Sequence, residues 1–174
     1  LLLSLIALYA ISPIRPVIWQ PDADAGLKNM YAVNQTLDKV SIYGATSLQA
    51  PEDIVIADDG TVYTGLANGD LVSFNVNTPE QVSVIANTGG RALGVRLDKQ
   101  RNLIVSDAVK GLIKVTPEGD ISVLVDEYQG KRLRFVDHHD IAENGDIYFS
   151  DASVRYDLST YLYDFLEASA TGSI

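Results

Sequence analysis

The chain repeats itself at an interval of just over 40 residues. Short runs rich in β-branched and aromatic residues recur along it, and superposing Val62, Leu103 and Ile147 aligns three of these units. The anchoring residues are 41 and 44 positions apart. A period of about 40–45 residues with four short strands in each unit is typical of a β-propeller blade. We therefore predict an all-β fold built from propeller blades.

Turn-forming dipeptides separate neighbouring runs. Glycine occupies the second position in each of them: Asp59-Gly60, Asn68-Gly69, Glu118-Gly119 and Asn144-Gly145. Such pairs favour the tight turns that join antiparallel strands. The pattern therefore predicts an antiparallel meander within each unit.

Residues 156–168 interrupt the β pattern. Apolar side chains there fall at the i, i+3, i+4, i+7 and i+8 spacing of an amphipathic helix: Leu158, Tyr161, Leu162, Phe165 and Leu166. We expect a short helix near the C-terminus. It either forms a lid across one face of the propeller or simply covers apolar surface.

The charge balance excludes several classes of function. The chain carries 13 Lys and Arg against 23 Asp and Glu, for a formal net charge of −10. A nucleic-acid partner is not expected, because binding to phosphates needs clustered basic residues. The absence of cysteine excludes disulfides, a thiolate nucleophile and a cysteine-type zinc site. An acidic surface instead suits divalent cations or cationic partners.

The N-terminal region has a composition of its own. Residues 1–12 are almost entirely apolar and uncharged, and two prolines, an arginine and a tryptophan follow. Twelve residues are fewer than the ~20 that a helix needs to cross a bilayer. We interpret residues 1–19 as a truncated hydrophobic signal anchor, with a buried N-terminal strand or helix as the alternative. Residues 20–36 then form a polar stalk and residues 37–174 a partial β-propeller, which we expect on the extracytoplasmic or lumenal side of a membrane.

The repeat also selects candidate metal ligands. Ten residues before each anchoring residue lie Glu52, Leu93 and Asp137. Equivalent positions on the innermost strands face one another around the central channel of a propeller. The carboxylates of Glu52 and Asp137 would therefore repel each other unless a cation lay between them. Oxygen ligands suit a hard cation such as Ca²⁺. The alternative is that Glu52 and Asp137 are ordinary acidic residues at strand ends.

Six segments, in order along the chain, resemble the strictosidine synthase-like proteins. They are 51–55 (PEDIV), 63–69 (YTGLANG), 89–94 (GGRALG), 103–108 (LIVSDA), 134–137 (RFVD) and 147–153 (IYFSDAS). This family includes the adipocyte plasma membrane-associated proteins and belongs with the senescence marker protein, gluconolactonase and paraoxonase superfamily. The resemblance covers about residues 12–172.

The resemblance implies a six-bladed propeller that holds Ca²⁺ or another divalent cation in its central channel, often with arylesterase or lactonase activity. In such enzymes the ion polarises the ester carbonyl. The family's first-blade glutamate ligand maps onto Glu52. Its third-blade channel residue, beside the metal or the substrate, maps onto Asp137, while further ligands belong to later blades.

The sequence departs from the family just after this position. His138-His139-Asp140 stands where the family commonly has Asp-Leu-Asp. Adjacent residues of a strand face opposite ways, so at most one imidazole enters the channel. His138 and Asp137 are the candidate catalytic residues, with the histidine as a general base near neutral pH. The alternative is a strand-end histidine held by hydrogen bonds.

Unit length sets a further expectation. Three units fill residues 37–153, whereas six units of this size need about 250 residues. We therefore expect this chain to contain about the first three blades and an incomplete set of metal ligands. We also expect little metal-dependent activity from this polypeptide alone, and self-association through its exposed blade edges. The favoured function is metal-dependent hydrolysis of small-molecule esters or lactones. The alternatives are a carbon–nitrogen lyase of the strictosidine synthase type and a non-catalytic, membrane-tethered binding propeller.

Overall fold

Two four-stranded sheets form the centre of the molecule. The computed structural model describes residues 2–24, 26–44 and 47–174. The first sheet contains β1 (Ile54–Ile56), β2 (Thr61–Gly65), β3 (Asp70–Asn75) and β4 (Thr78–Asn87), and the second contains β5 (Ala92–Leu97), β6 (Leu103–Asp107), β7 (Gly111–Val115) and β8 (Ile121–Val125). Every neighbouring pair is antiparallel. The predicted antiparallel meander is confirmed in both units, and the four turn dipeptides lie between strands as expected.

The third unit contains fewer strands. A short hairpin of β9 (Glu127–Tyr128) and β10 (Lys131–Arg132) precedes the pair β11 (Val136–Ile141) and β12 (Ile147–Asp151). A single antiparallel bridge joins Asp151 to Ser173 along the outer edge of β12. The described residues thus contain two four-stranded sheets and two two-stranded sheets. The number of blades in the whole propeller stays a prediction.

The core lies where the two large sheets pack together. Its fully or almost fully buried members come from β3, β5, β6 and β7: Leu71, Ala92, Val95, Leu103, Val105, Ile113 and Val115. Burying each of the large aliphatic side chains stabilises the fold by about 1.5–3 kcal/mol. Strand β5 contacts β1 and β2 on one side and β11 on the other. The innermost strands of the three units are therefore held side by side, which positions the residues at their ends.

Helix α1 (Leu2–Ile11) lies at the N-terminus with all of its side chains exposed. Within the described ranges, no helix has both the length and the apolar character needed to span a membrane. The assignment of residues 1–19 to a signal anchor stays a prediction.

Helix α2 (Leu162–Glu167) is shorter than the predicted 156–168. The Asp157 carboxylate accepts hydrogen bonds from the Ser159 amide and from the hydroxyls of Ser159 and Thr160, which folds the preceding residues into a turn. Phe165, on the apolar side of this helix, is 75% exposed, whereas Glu167 is completely buried.

Buried Glu167 connects the N-terminal segment to α2. Its carboxylate lies 2.7 Å from Nη1 of Arg155 and accepts hydrogen bonds from the amide of Arg15 and the hydroxyl of Ser169. Its carbonyl accepts a hydrogen bond from the amide of Val17 at 2.9 Å. We call these contacts the Glu167 clasp. Because the charged group has both an ion-pair partner and several donors, its burial is compensated.

Candidate functional site

The first strands of the three units converge at one end of the sheets. Strand β5 contacts both β1 and β11, and Gly94 of β5 lies against the backbone of β11. A Cβ atom on Gly94 would lie 3.1 Å from the carbonyl oxygen of Asp137 and 3.2 Å from Cα of His138. Glycine at this position therefore allows the backbones to approach closely enough to bring side chains of three units together.

Glu52 and Asp137 lie in one electrostatic environment. Glu52 lies two residues before the start of β1 and is exposed, while Asp137 lies on β11 and is half-buried. Partial burial raises the pKa of Glu52, and the negative charges of Asp137 and Asp53 raise it further, against smaller opposing effects of Arg91 and His138. The two carboxylates chosen from the repeat are thus close enough to repel each other, and a cation between them would relieve that repulsion.

These carboxylates suit a hard cation in type but not in number. Ca²⁺ takes about 6–8 oxygen ligands, including carboxylates, carbonyls and water. Among the residues that the structure describes, no group of three or more Asp, Glu or His side chains is arranged to hold a metal. Glu52 and Asp137 therefore fit as part of a ligand set that needs further oxygen donors.

A second group of charged residues occupies the same end of the sheets. Oδ2 of Asp53 accepts hydrogen bonds from Nη1 of Arg96 at 2.5 Å and from the amide of Val95 at 3.1 Å. Nη2 of Arg96 lies 2.9 Å from Nε2 of His138. Asp53 and Arg96 are both largely buried, which makes their ion pair stronger than one at the surface. This Asp53–Arg96–His138 cluster links the first strands of all three units.

The cluster determines what the His138 ring can do. A guanidinium has no lone pair to offer, so Nε2 of His138 must be the acceptor from Arg96. The other ring nitrogen, Nδ1, then carries the hydrogen and lies 3.7 Å from Oδ2 of Asp53. In this arrangement His138 accepts a proton at Nε2 only after Arg96 has moved away. Its role as a general base stays a prediction.

The neighbouring histidine has a different environment. His139 is 1% exposed, and its Nδ1 lies 2.9 Å from the hydroxyl oxygen of buried Ser106 on β6. Burial lowers the pKa of His139 to about 4, and the positive charge of Arg96 contributes in the same direction. His139 is therefore a neutral interior residue, separate from the exposed ring of His138.

Comparisons with known proteins agree with this architecture. The N-terminal model of strictosidine synthase-like proteins matches residues 29–74, and the strictosidine synthase model matches residues 137–174. Strictosidine synthase-like protein 7 of Arabidopsis thaliana is 32% identical over 99% of this chain and 49% of its own length. The chain belongs to the strictosidine synthase-like family.

Further relatives place it in the same branch of the family. Strictosidine synthase-like protein 4 of Arabidopsis thaliana is 36% identical over 75% of this chain and 37% of its own length. The adipocyte plasma membrane-associated protein of Salmo salar is 31% identical over 100% of this chain and 46% of its own length. This strictosidine synthase-like chain thus spans less than half the length of these relatives.

Solved structures with the same fold are propeller-like. A gluconolactonase from Xanthomonas campestris matches with a TM-score of 0.54 and 20% identity, over 60% of this chain and 36% of its own. A putative gluconolactonase matches with a TM-score of 0.55 and 21% identity, over 64% of this chain and 39% of its own. At these identities the likeness concerns the fold alone.

Sequence reasoning selected Glu52, Asp137 and His138 in this strictosidine synthase-like chain but missed Asp53 and Arg96. The repeat contains a signal for them. Asp53 and His138 share the position that follows the selected carboxylates, and Arg96 shares with Asp140 the position two residues further on. Inspecting charged residues at every repeat position near the strand starts, rather than at one, would have found the cluster.

Proposed function

We propose that Glu52 and Asp137 form part of a divalent-cation site, of the Ca²⁺ type, in the central channel of a six-bladed propeller. The observation that carries this proposal is the close approach of β5 to β1 and β11, which brings Glu52 and Asp137 of separate units to one end of the sheets. The pKa of Glu52, raised by burial and then by the charges of Asp137 and Asp53, supports it. Two carboxylates from separate units that repel each other at one end of the sheets favour the binding of a cation.

The whole protein is then a metal-dependent hydrolase of esters or lactones. When bound, the ion would supply Lewis-acid polarisation of the carbonyl group. Glu52 and Asp137 would hold it through carboxylate oxygens, together with further oxygen donors. Arg96 and Asp53 fix the His138 ring at the edge of the site. If Arg96 is displaced when substrate binds, Nε2 of His138 becomes free to take a proton.

We also propose that the protein is attached to a membrane through residues 1–19. The apolar and uncharged character of helix α1 supports this proposal, as does the name of the plasma membrane-associated relatives. The propeller would lie on the extracytoplasmic or lumenal side.

The activity is tested on the full-length protein with aryl esters and lactones, with and without chelator. We expect hydrolysis that needs Ca²⁺ and that falls by about 10²-fold or more in Glu52→Gln, because a carboxylate ligand of the ion is lost. Glu118→Gln, at an exposed turn between β7 and β8, is the matched control and keeps full activity. Hydrolysis that is insensitive to both chelator and Glu52→Gln would contradict the proposal.

A non-catalytic binding propeller is the second candidate. The observation that favours it is the Asp53–Arg96 ion pair, which already supplies a positive charge where the three first strands meet. Under this alternative Glu52→Gln leaves ligand binding unchanged, and no ester or lactone is hydrolysed. A lyase of the strictosidine synthase type, with its catalytic carboxylate outside this chain, would be detected as carbon–nitrogen bond formation that persists in chelator.

A further inference from the structure

A cavity of about 530 Å³ lies between the second and third units. Its lining comes from the loop after β6, from the connection between β10 and β11, and from the turn before α2. None of the residues of the proposed cation site or of the Asp53–Arg96–His138 cluster lines it. The cavity is therefore a separate feature of the molecule, and the inference drawn from it does not depend on the proposed function.

The lining carries two arginines in a chain whose formal net charge is −10. Nη2 of Arg132 donates a hydrogen bond to the carbonyl oxygen of Val109 at 2.9 Å, which fixes this side chain over the loop after β6. The backbone amide of Arg134 is held by the carboxylate of Asp151. Within the described part of the chain, the guanidinium of Arg134 makes no hydrogen bond or ion pair, so its donors are free for a ligand.

The acidic residue in the lining is already engaged. Oδ1 of Asp157 accepts hydrogen bonds from the amide of Ser159 at 2.9 Å, from its hydroxyl at 2.6 Å and from the hydroxyl of Thr160 at 3.0 Å. These hydrogen bonds lower the pKa of Asp157, so the carboxylate remains charged and directed towards its own turn. Two guanidinium groups against one carboxylate leave the lining with a net positive charge.

The rest of the lining is apolar. Ala108, Val109, Leu133 and Leu158 form a wall beside the two arginines. A guanidinium binds a carboxylate through two parallel hydrogen bonds, and an apolar wall favours a hydrocarbon or aromatic body. The volume lies within the range of about 300–1,000 Å³ that is usual for small-molecule sites.

We propose that this cavity binds a carboxylate with a short apolar body, such as a medium-chain alkyl acid. Arg134 recognises the carboxylate, with Arg132 beside it, and the apolar wall contacts the chain. The same chemistry fits an acid taken up from solution and an acid released by ester hydrolysis. Binding of the acid when no ester is present would show that the cavity takes up the free acid directly.

The proposal is tested by titrating the 174-residue chain with octanoate and, as a neutral analogue of equal length, with octanol. We expect saturable binding of octanoate and binding of octanol that is weaker by about tenfold or more. High salt and Arg134→Gln should each weaken octanoate binding by about the same factor, because each change removes or screens the charge-assisted hydrogen bonds. Arg101→Gln is the matched control and binds as the wild type does, because Arg101 is an exposed arginine paired with Asp59 in turns away from the cavity.

A second variant separates loss of the site from loss of folding. Val109→Trp places a large side chain on the 40%-exposed wall residue and should abolish octanoate binding while the cooperative unfolding transition is kept. Equal binding of octanol and octanoate, or unchanged binding in Arg134→Gln, would overturn the proposal. Equal losses in Arg134→Gln and Arg101→Gln would overturn it too, since they would indicate a general charge effect.

Discussion

At the scale of single residues, two adjacent histidines of β11 have opposite surroundings. His138 is half-exposed and accepts a hydrogen bond from Arg96, while His139 is buried against Ser106. Strand geometry alone accounts for the separation, because neighbouring side chains of a strand point to opposite faces. Which of the two is buried could not be read from sequence, since it depends on the register between β11 and its neighbours.

Buried His139 makes stability depend on pH. Its pKa is about 4 in the folded protein and 6.5 when exposed, so the unfolded chain binds the proton first as the pH falls. The free energy of unfolding should be highest above pH 6.5 and should decrease by about 3 kcal/mol between pH 6.5 and pH 4. Denaturant titrations across this range measure the effect.

A matched pair of variants assigns this dependence to one ring. His139→Gln keeps a partner for the Ser106 hydroxyl but cannot titrate, so its stability should vary less with pH than that of the wild type. His138→Gln should retain the wild-type dependence between pH 6.5 and 4. Identical pH profiles for His139→Gln and the wild type would show that burial of His139 has no such effect.

At the scale of elements, the Glu167 clasp holds the segment after α1 against α2. Burial alone would raise the pKa of Glu167, but hydrogen bonds from Arg15, Tyr156 and Ser169, with the charge of Arg155, outweigh it and keep the pKa below its usual value. A carboxylate with a lowered pKa stabilises the fold above the pKa of the unfolded chain. That contribution is lost as the pH falls through the folded-state pKa.

Glu167→Gln should therefore lower the melting temperature by several degrees at neutral pH, because it leaves Arg155 without its buried partner. It should also speed proteolysis of residues 12–19, which the clasp restrains. Glu143→Gln, an exposed residue between β11 and β12, is the control and should change neither property. The difference between Glu167→Gln and the wild type should shrink as the pH falls below 4.5; a constant difference would contradict a role for the ionised carboxylate.

Most strands were predictable from sequence, whereas α2 and the ion pairs were not. Runs of β-branched residues and glycine at a turn are local signals, so β2–β4, β6–β8 and β12 follow directly from them, whereas β1, β5 and β11 were not among the predicted runs. The helical spacing of Leu162, Phe165 and Leu166 predicted an amphipathic helix, but these side chains are exposed, because the ion pair of Arg155 with Glu167 holds the opposite side of α2 inward. Asp53 and Arg96 are 43 residues apart, and their pairing depends on how two units pack.

At the scale of the whole molecule, the chain spans less than half the length of the relatives it matches. It spans 49% of the Arabidopsis relative and 46% of the salmon relative. In a propeller each unit packs mainly on its neighbours, so the first two sheets can form a core without the remaining ones. A site in the central channel is different, since it takes ligands from several units at once. The proposed cation site would therefore depend on the whole protein more than the core does.

Calorimetric titration of Ca²⁺ into the full-length protein tests this account most directly, with Glu52→Gln, Asp137→Asn and the control Glu118→Gln measured in parallel. We predict saturable binding that is weakened by about tenfold or more in Glu52→Gln and Asp137→Asn, unchanged in Glu118→Gln, and much weaker for residues 1–174 alone. Equal Ca²⁺ affinity in the wild type and in both site variants, or tight stoichiometric binding by residues 1–174 alone, would contradict it.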